Sequence, residues 1–296
     1  VGEKAAVVFE NDDAVTKTLG DEPFVLAVKT DNSESVLSYS SSDESVVTVD
    51  ASGTVTVVGA GTAVITVTAA ETDYFKAAET TVTVIVNKAA ASIAPETSTQ
   101  TVTYGQSIIL TAENLGLTVT GDGTLTFTVT SGTDVLSIDG TTATTLKAGT
   151  AVITVTTTET DLYTAAEPVT ITVTVNKAEG TGSVTISGWT AGESASVPVV
   201  TSATNGTDSV TYYYKVQGAE DATYTTAVPT AAGSYTVKAV FAATDSYNEV
   251  SATADFTIQA ASVPTETESE TTATESETTA TESETTANES GTTEKE

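Results

Sequence analysis

The stretch that decides the fold runs from Gly61 to Asn87. It starts with Gly-Thr-Ala-Val-Ile-Thr-Val-Thr, continues through the loop Ala-Ala-Glu-Thr-Asp-Tyr-Phe-Lys-Ala-Ala-Glu and ends with Thr-Thr-Val-Thr-Val-Ile-Val-Asn. The same plan returns from Gly149 to Asn176, and a more divergent copy begins at Gly233. An internal repeat of alternating β-branched residues predicts that the chain contains three copies of one β-module.

Each copy also repeats an acidic loop at a fixed distance from its glycine. The glycine precedes an aspartate by twelve residues, and an aromatic residue follows the aspartate by two: Asp73 and Phe75, Asp161 and Tyr163, Asp245 and Tyr247. We expect the aspartate to accept hydrogen bonds from loop amides while the aromatic ring closes the end of the module. Calcium requires six to eight oxygen ligands, and each loop offers one or two carboxylates. We therefore predict no metal site.

Short strand signals and tight turns surround the repeated stretch. Alternation is clear from Phe24 to Lys29, and the run Asp50-Ala51-Ser52-Gly53 is typical of a hairpin turn in which the glycine adopts a positive φ. In the second copy, Ser137-Ile138-Asp139-Gly140 forms a matching turn signal. Closely spaced short strands without a helical pattern predict an all-β chain of three tandem β-sandwiches.

The repeat also predicts the domain organisation. We assign residues 1–87 to module one, 88–177 to module two, 178–260 to module three and 261–296 to a tail. Lys4, Lys88 and Lys177 lie in the same way at the starts or boundaries of the three modules, so we expect the modules to form part of a longer array with any export signal elsewhere. The links at these boundaries are very short, and we expect a nearly linear, monomeric rod.

The tail has a different composition, rich in Glu, Thr and Ser. Glu-Ser-Glu-Thr-Thr-Ala-Thr begins at Glu268, Glu275 and Glu282, with alanine as the single apolar residue of each repeat. A coiled coil needs an apolar seam, which this heptad lacks. We predict a disordered, self-repelling acidic spacer.

Charge and composition exclude several classes of function. The 296 residues carry a formal net charge of −30, and all ten basic residues are lysine. Such a surface repels phosphate backbones, so we predict no nucleic-acid partner. With no histidine and no cysteine, the chain lacks imidazole bases, thiolates and the usual zinc ligands. We predict no enzymatic activity, no cofactor and no membrane span in this sequence.

Val47 to Val67 resembles a known family through the sequence Val-Thr-Val-Asp-Ala-Ser-Gly-Thr-Val-Thr-Val-Val-Gly-Ala-Gly-Thr-Ala-Val-Ile-Thr-Val. It is similar to the bacterial immunoglobulin-like domains of group 2, which occur in intimin- and invasin-type adhesins, and module two shares most of the pattern. Module three, through Val228 to Val237 and Asp245-Ser246-Tyr247, resembles a related repeat of Gram-positive surface proteins. The resemblance implies immunoglobulin-like sandwiches and an extracellular, surface or secreted setting.

Three aromatic residues of module three are the candidate ligand-binding residues. Exposed rings stack on sugar rings, which makes Trp189, Tyr212 and Tyr214 candidates for a carbohydrate face. Alternation places Tyr212 and Tyr214 on one face and Tyr213 on the other, and one of these faces must be core. The alternative for Trp189 is packing in the core of its own module. A lysine–asparagine crosslink is a further alternative at Lys88 and Lys177, although the neighbouring asparagines cannot be their partners.

Together these observations favour a non-enzymatic stalk or spacer in a bacterial cell-surface or secreted protein, with the Gram-positive cell wall as the expected setting. The alternative is an adhesin-type module that binds a host or cell-wall protein or glycan through module three. A large exposed aromatic patch on module three would favour the second function.

Overall fold

The computed structural model describes residues 4–262. Within this range the chain is built from strands, and the helical element present is a single 3-10 turn at Asp221–Thr223. The strands surround three separate hydrophobic clusters, each drawn from one third of the chain. The fold is therefore all-β, with tandem immunoglobulin-like sandwiches. The predicted disordered tail lies outside the described residues.

Module one packs a four-stranded sheet against a three-stranded one, in the orders β2-β9-β8-β5 and β3-β7-β6. Its strands are β1 Phe9–Glu10, β2 Ala14–Thr18, β3 Phe24–Val25, β4 Lys29–Thr30, β5 Leu37–Ser41, β6 Val47–Val49, β7 Thr54–Val57, β8 Gly61–Ala69 and β9 Ala78–Asn87. The inward side chains Val55, Ile65 and Val84 are fully buried between the sheets. Strand alternation thus produces one apolar and one hydroxyl-rich face.

Module two repeats this arrangement with sheets β11-β18-β17-β14 and β12-β16-β15. Its strands are β10 Ser92–Pro95, β11 Thr99–Thr103, β12 Ser107–Ile109, β13 Leu117–Thr120, β14 Leu125–Ser131, β15 Leu136–Asp139, β16 Thr142–Thr145, β17 Gly149–Thr157 and β18 Val169–Asn176. In both modules the first strand of the larger sheet runs parallel to the last, as β11 does beside β18. The repeat in sequence is therefore a repeat in topology.

Module three keeps the four-stranded sheet, in the order β20-β24-β23-β22, and has a smaller partner sheet, β19-β21. Its strands are β19 Ser183–Thr185, β20 Trp189–Thr190, β21 Val199–Thr201, β22 Val210–Val216, β23 Gly233–Phe241 and β24 Val250–Gln259. Its core is aromatic: Phe256 lies between Trp189 and Tyr235, with ring centroids 5.1 and 5.8 Å away. Stacked rings fill the volume that aliphatic side chains fill in module two.

The repeated glycine opens the central strand of each sandwich. Gly149 has a φ of 150°, and a Cβ there would lie 2.8 Å from Val135 Cγ2. Gly61 shows the same geometry against Val46 Cγ2, at 2.9 Å. Glycine is needed because a side chain would be strained and would also collide with the buried valine beneath the strand.

The predicted strands agree with the structure best in the repeated stretch. The turn at Asp50–Gly53 is present, with Gly53 at a φ of 81° and Asp50 Oδ1 accepting hydrogen bonds from the amides of Ser52 and Thr54. The continuous strand predicted from Phe24 to Lys29 is wrong: the backbone pairs at Phe24–Val25 and again at Lys29–Thr30 with a different partner. Leu26 separates the two pairs and is buried in the core.

Candidate functional site

The outer face of the four-stranded sheet in module three differs from the same face in the other modules. Tyr213 lies opposite Lys238 across the β22–β23 pair, and Lys238 lies opposite Thr253 on β24. Lys238 is the fifth residue after Gly233, and the corresponding residues in modules one and two are Thr66 and Thr154. Module three therefore has a cation where its relatives have a hydroxyl.

The connection between β22 and β23 brings a second ring over this face. Tyr214 and Thr225 exchange two backbone hydrogen bonds of 2.7 and 3.0 Å, which fix the segment against β22. They place the Tyr224 ring 4.2 Å from Lys238 Nζ and 4.8 Å from Lys215 Nζ, measured to the ring centroid. Both distances are within the range of cation–π attraction. A groove of about 500 Å³ lies along these residues.

The ammonium of Lys215 donates hydrogen bonds to the segment that connects β22 and β23. Its ammonium donates to the Ala219 carbonyl and to Asp221 Oδ1, both at 2.7 Å. The hydrogen bond from Lys215 lowers the pKa of Asp221, and the same bond raises the pKa of Lys215. Burial raises the pKa of the Tyr224 phenol. Lys215 thus holds the 3-10 turn in place.

Asp255 is fixed in a similar way on the other side of the groove. Its Oδ1 accepts from the Thr236 hydroxyl at 2.6 Å and its Oδ2 from the Gln217 amide at 2.7 Å. These two hydrogen bonds, the first being the larger cause, lower the pKa of the carboxyl. Both oxygens are therefore occupied by neighbours, and the carboxylate is ionised at neutral pH.

Lys238 is the cation of this groove that keeps free donors. Its ammonium lies 5.5 Å from the centroid of Tyr213 in addition to its contact with Tyr224. Within residues 4–262 it forms no ion pair, whereas Lys215, in the same groove, does. Ring contact stabilises the charge without satisfying the three N–H donors of an ammonium.

The predicted aromatic candidates lie on the opposite, inner face. Trp189 is 9% exposed and stacks on Phe256, and Tyr214 is 6% exposed. Tyr212 is half-buried and packs against the same core cluster. Alternation separates these rings from Tyr213 as predicted, but burial leaves Trp189 and Tyr214 without an open ring for stacking. The outer-face groove was not predicted from the sequence. Alignment of the three repeats could have indicated it, because Lys238 stands where the other two copies have threonine.

In the repeated acidic loops, the expectation that the aspartate accepts hydrogen bonds from the loop amides is wrong. The loop amides are capped by the threonine before each aspartate, not by the aspartate: Thr72, Thr160 and Thr244 Oγ1 accept from the amides of Phe75, Tyr163 and Tyr247 at 3.1 to 3.3 Å. A threonine hydroxyl makes the same turn-stabilising bond that was expected of a carboxylate. Within residues 4–262 no group of three or more potential ligand residues is close enough to hold a metal ion.

The three opening lysines bind these loops. Lys88 Nζ lies 2.6 Å from Glu159 Oε1, Lys177 Nζ donates to the Thr244 carbonyl at 2.6 Å, and Lys4 pairs with Glu71. The residue after each lysine forms a parallel bridge to the loop aromatic, as Ala89 does to Tyr163. These contacts join the beginning of each module to its own acidic loop. No helix of residues 4–262 has the length and apolar composition of a membrane span.

The loops also lie at the junctions between modules. Leu162 of module two lines a cleft with Gly59 and Lys88, and a Cβ on Gly59 would be 3.9 Å from the Leu162 side chain. At the second junction the rings of Tyr104 and Tyr247 meet edge to face, with centroids 5.4 Å apart. Lys147, paired with Asp134 in module two, has its pKa raised by that partner and to a smaller extent by Asp245 of module three.

Several solved structures are similar to this chain at low sequence identity. The Drosophila N-cadherin EC1-3 structure is 15% identical, covers 86% of this chain and 99% of its own, and has a TM-score of 0.35. The Sidekick-1 immunoglobulin domains 1–5 are 13% identical over 88% and 60%, with a TM-score of 0.30. Domains 4–9 of the surface layer protein SbsC are 14% identical over 86% and 47%, with a TM-score of 0.27.

A search of curated protein sequences finds no match. A family model does match: that of the intimin immunoglobulin-like domain, over residues 29–71. This range begins at β4, includes the hairpin turn at Asp50–Gly53 and ends just after β8, the first strand of the stretch from Gly61 to Asn87. This part of module one is therefore similar to the intimin immunoglobulin-like domain.

Proposed function

We propose that the chain is a non-catalytic stalk or spacer in an extracellular bacterial surface protein. The match of residues 29–71 to the intimin domain supports the surface setting. The composition supports a non-catalytic role, because neither histidine nor cysteine is present. We extend the resemblance to tandem modules two and three, whose central strands and capped loops repeat those of module one.

The observation that carries this proposal is direct contact between neighbouring modules without a linker. β9 of module one ends at Asn87, and Ala89 already forms the bridge that opens module two. Tyr104 and Tyr247 make a ring contact at the second junction. Short links with side chains packed across them limit bending, which a spacer requires to keep its length.

Small-angle X-ray scattering on the chain truncated after residue 262 tests the stalk. Strands of about nine residues at roughly 3.4 Å per residue give modules about 30 Å long. Three modules end to end predict a maximum dimension of about 80 to 120 Å by the same arithmetic. A radius of gyration near 18 Å, which is expected for a compact globule of about 260 residues, would contradict the proposal.

A second candidate function is ligand binding through module three. The specific observation in its favour is the groove around Lys238, which replaces the threonine ladder of the other two modules. A host or cell-wall glycan or protein is the proposed partner class. The two functions are compatible, because the groove lies on the side of the sheet and not at a junction.

A further inference from the structure

Lys238 is the charged side chain of the groove that forms neither an ion pair nor a hydrogen bond within residues 4–262. Lys215 is paired with Asp221, and both oxygens of Asp255 accept hydrogen bonds from neighbouring side chains. Two rings lie close to the ammonium of Lys238, with Nζ 4.2 and 5.5 Å from the centroids of Tyr224 and Tyr213. Asp221, whose pKa is lowered chiefly by the hydrogen bond from Lys215, is near enough for the charge of Lys238 to contribute to that lowering. A half-buried ammonium with free N–H donors is suited to accepting an anionic oxygen group.

The remaining wall of the groove is polar. Ser251, Thr253 and Gln217 line it beside the two lysines. Hydroxyl and amide groups on a shallow sheet face match the many hydroxyls of a sugar ring, and Tyr224 is the aromatic side chain that lines the groove. An apolar peptide side chain would find no comparable apolar pocket here.

The charge of the whole protein limits the size of the anion. With a net charge of −30, the chain repels a polyanion at distances up to about the Debye length of 8 to 10 Å. The formal charges of the groove cancel, since Lys215 and Lys238 face Asp221 and Asp255. One carboxylate at Lys238 gains a local attraction, whereas a sulfated polymer or a nucleic acid meets repulsion along its length.

We propose that module three binds a sugar ring bearing a single carboxylate, with the carboxylate at Lys238 and the ring hydroxyls along Ser251 and Thr253. This inference rests on the second proposed function and specifies its ligand. Uronic acids of bacterial wall polymers and sialic acids of host glycans share this chemistry. The arrangement around Lys238 is preformed, because Lys215 and Asp221 already hold the Tyr224 segment in place.

NMR titration of the isotope-labelled full-length chain tests the proposal, with glucuronic acid and N-acetylneuraminic acid as separate ligands. We expect amide shifts at Lys238 and Thr253 at millimolar concentrations of one or both acids. Shifts with one acid identify the wall or the host as the source. Glucuronamide, which keeps the ring and removes the charge, is the matched ligand and should bind at least about tenfold more weakly, the loss of one charge-assisted hydrogen bond.

Two variants make the result specific to the groove. Lys238→Gln should remove the shifts and leave the melting temperature nearly unchanged, because the side chain lies on the outer face. Lys17→Gln is the matched control: Lys17 Nζ also lies over a ring, 4.6 Å from the Phe24 centroid, but in module one. Equal binding of glucuronamide, equal loss in both variants or no shifts with a folded protein would overturn the proposal. None of these outcomes alters the scattering prediction for the stalk.

Discussion

The central strands of modules two and three have the same length and topology but different side chains on both faces. Outward positions of β17 carry Val152 and Thr154, where β23 has Thr236 and Lys238. The inward positions differ as well, as one residue shows: the eighth position after the glycine is Thr157 in module two and Phe241 in module three. All of these residues still alternate between core and surface.

This difference teaches which features the sandwich requires. Both modules keep the glycine that opens the strand, the threonine that caps the acidic loop and the bridge to the loop aromatic. The inward face tolerates a change from aliphatic to aromatic packing provided that the volume is filled. The outward face of the sheet makes no contribution to the core, and module three carries Tyr213, Lys215 and Lys238 there.

The largest expected effect is a loss of stability in module three that does not extend to module two. Phe241→Ala should destabilise module three by about 3 to 5 kcal/mol, because the ring is fully buried and its loss leaves a cavity. The transition is measured by urea unfolding with the fluorescence of Trp189, the single tryptophan of the chain, as the probe.

Thr157→Ala is the matched variant in module two. Thr157 Oγ1 accepts a hydrogen bond of 2.8 Å from the buried Ala166 amide, so its loss should cost about 1 to 3 kcal/mol. Amide exchange at Ile153 follows that loss, and the Trp189 transition should not move. An unchanged Trp189 midpoint in Phe241→Ala would show that the aromatic core adapts to the cavity.

The opening glycines should differ in their tolerance of a methyl group. A Cβ on Gly149 meets Val135 Cγ2 at 2.8 Å, whereas on Gly233 it meets Cε2 of the Tyr235 ring at the longer distance of 3.3 Å. We expect Gly149→Ala to cost about 2 to 3 kcal/mol and Gly233→Ala about 1 kcal/mol, within the range for strained backbone. Thermal unfolding followed by module-specific amide exchange measures both. Equal costs would show that φ alone, and not the collision, determines the need for glycine.

Several of these features could be predicted from the sequence, because they depend on local patterns. Period-two alternation identifies β8 and β17, and Asp50 with Gly53 identifies a turn through its own side-chain bonds. The short parallel strand at Ala14–Thr18 escapes the same reasoning. Its sequence, Ala-Val-Thr-Lys-Thr, has one apolar residue packed on the core, and its partner β9 is about seventy residues away.

The groove required information that alternation does not contain. Period two separates Tyr213 from Tyr212 and Tyr214, yet either face could be the core until the pairing of β22 with β23 is known. Tyr224 belongs to an irregular segment, whose position depends on two backbone hydrogen bonds to Tyr214. A long-range pairing therefore fixes the site, and local residue preferences do not.

The ring contact at the junction of modules two and three should have a smaller effect on stability. Tyr104→Ala removes the edge-to-face contact with Tyr247, which should weaken coupling at the second junction by about 0.5 to 1.5 kcal/mol. Residual dipolar couplings measured on both modules should then report a wider range of relative orientations. Leu162→Ala is the control, because it lies at the first junction and should leave the second unchanged. If both variants loosened the second junction, the chain would bend as one unit.

The smallest expected effect is the acid sensitivity of module three. Hydrogen bonds from Thr236 and Gln217 hold the pKa of Asp255 below its ordinary value of 3.8. A carboxyl with a lowered folded-state pKa stabilises the fold above its unfolded pKa, and this contribution disappears as pH falls through the folded value. The Trp189 unfolding midpoint should therefore decrease below about pH 4.

Asp255→Asn should make this decrease smaller. Part of the decrease should remain, because the pKa of Asp221 is also lowered, by its hydrogen bond from Lys215. The residues of module two that correspond to the Thr236–Asp255 pair are Val152 and Thr172, neither of which is acidic. Module two keeps Asp134, whose pKa is lowered by the hydrogen bond from Lys147, so exchange at Ile153 should respond less in this range without being unaffected. An equal acid response of the two modules would mean that general charge repulsion, and not the Asp255 network, determines it.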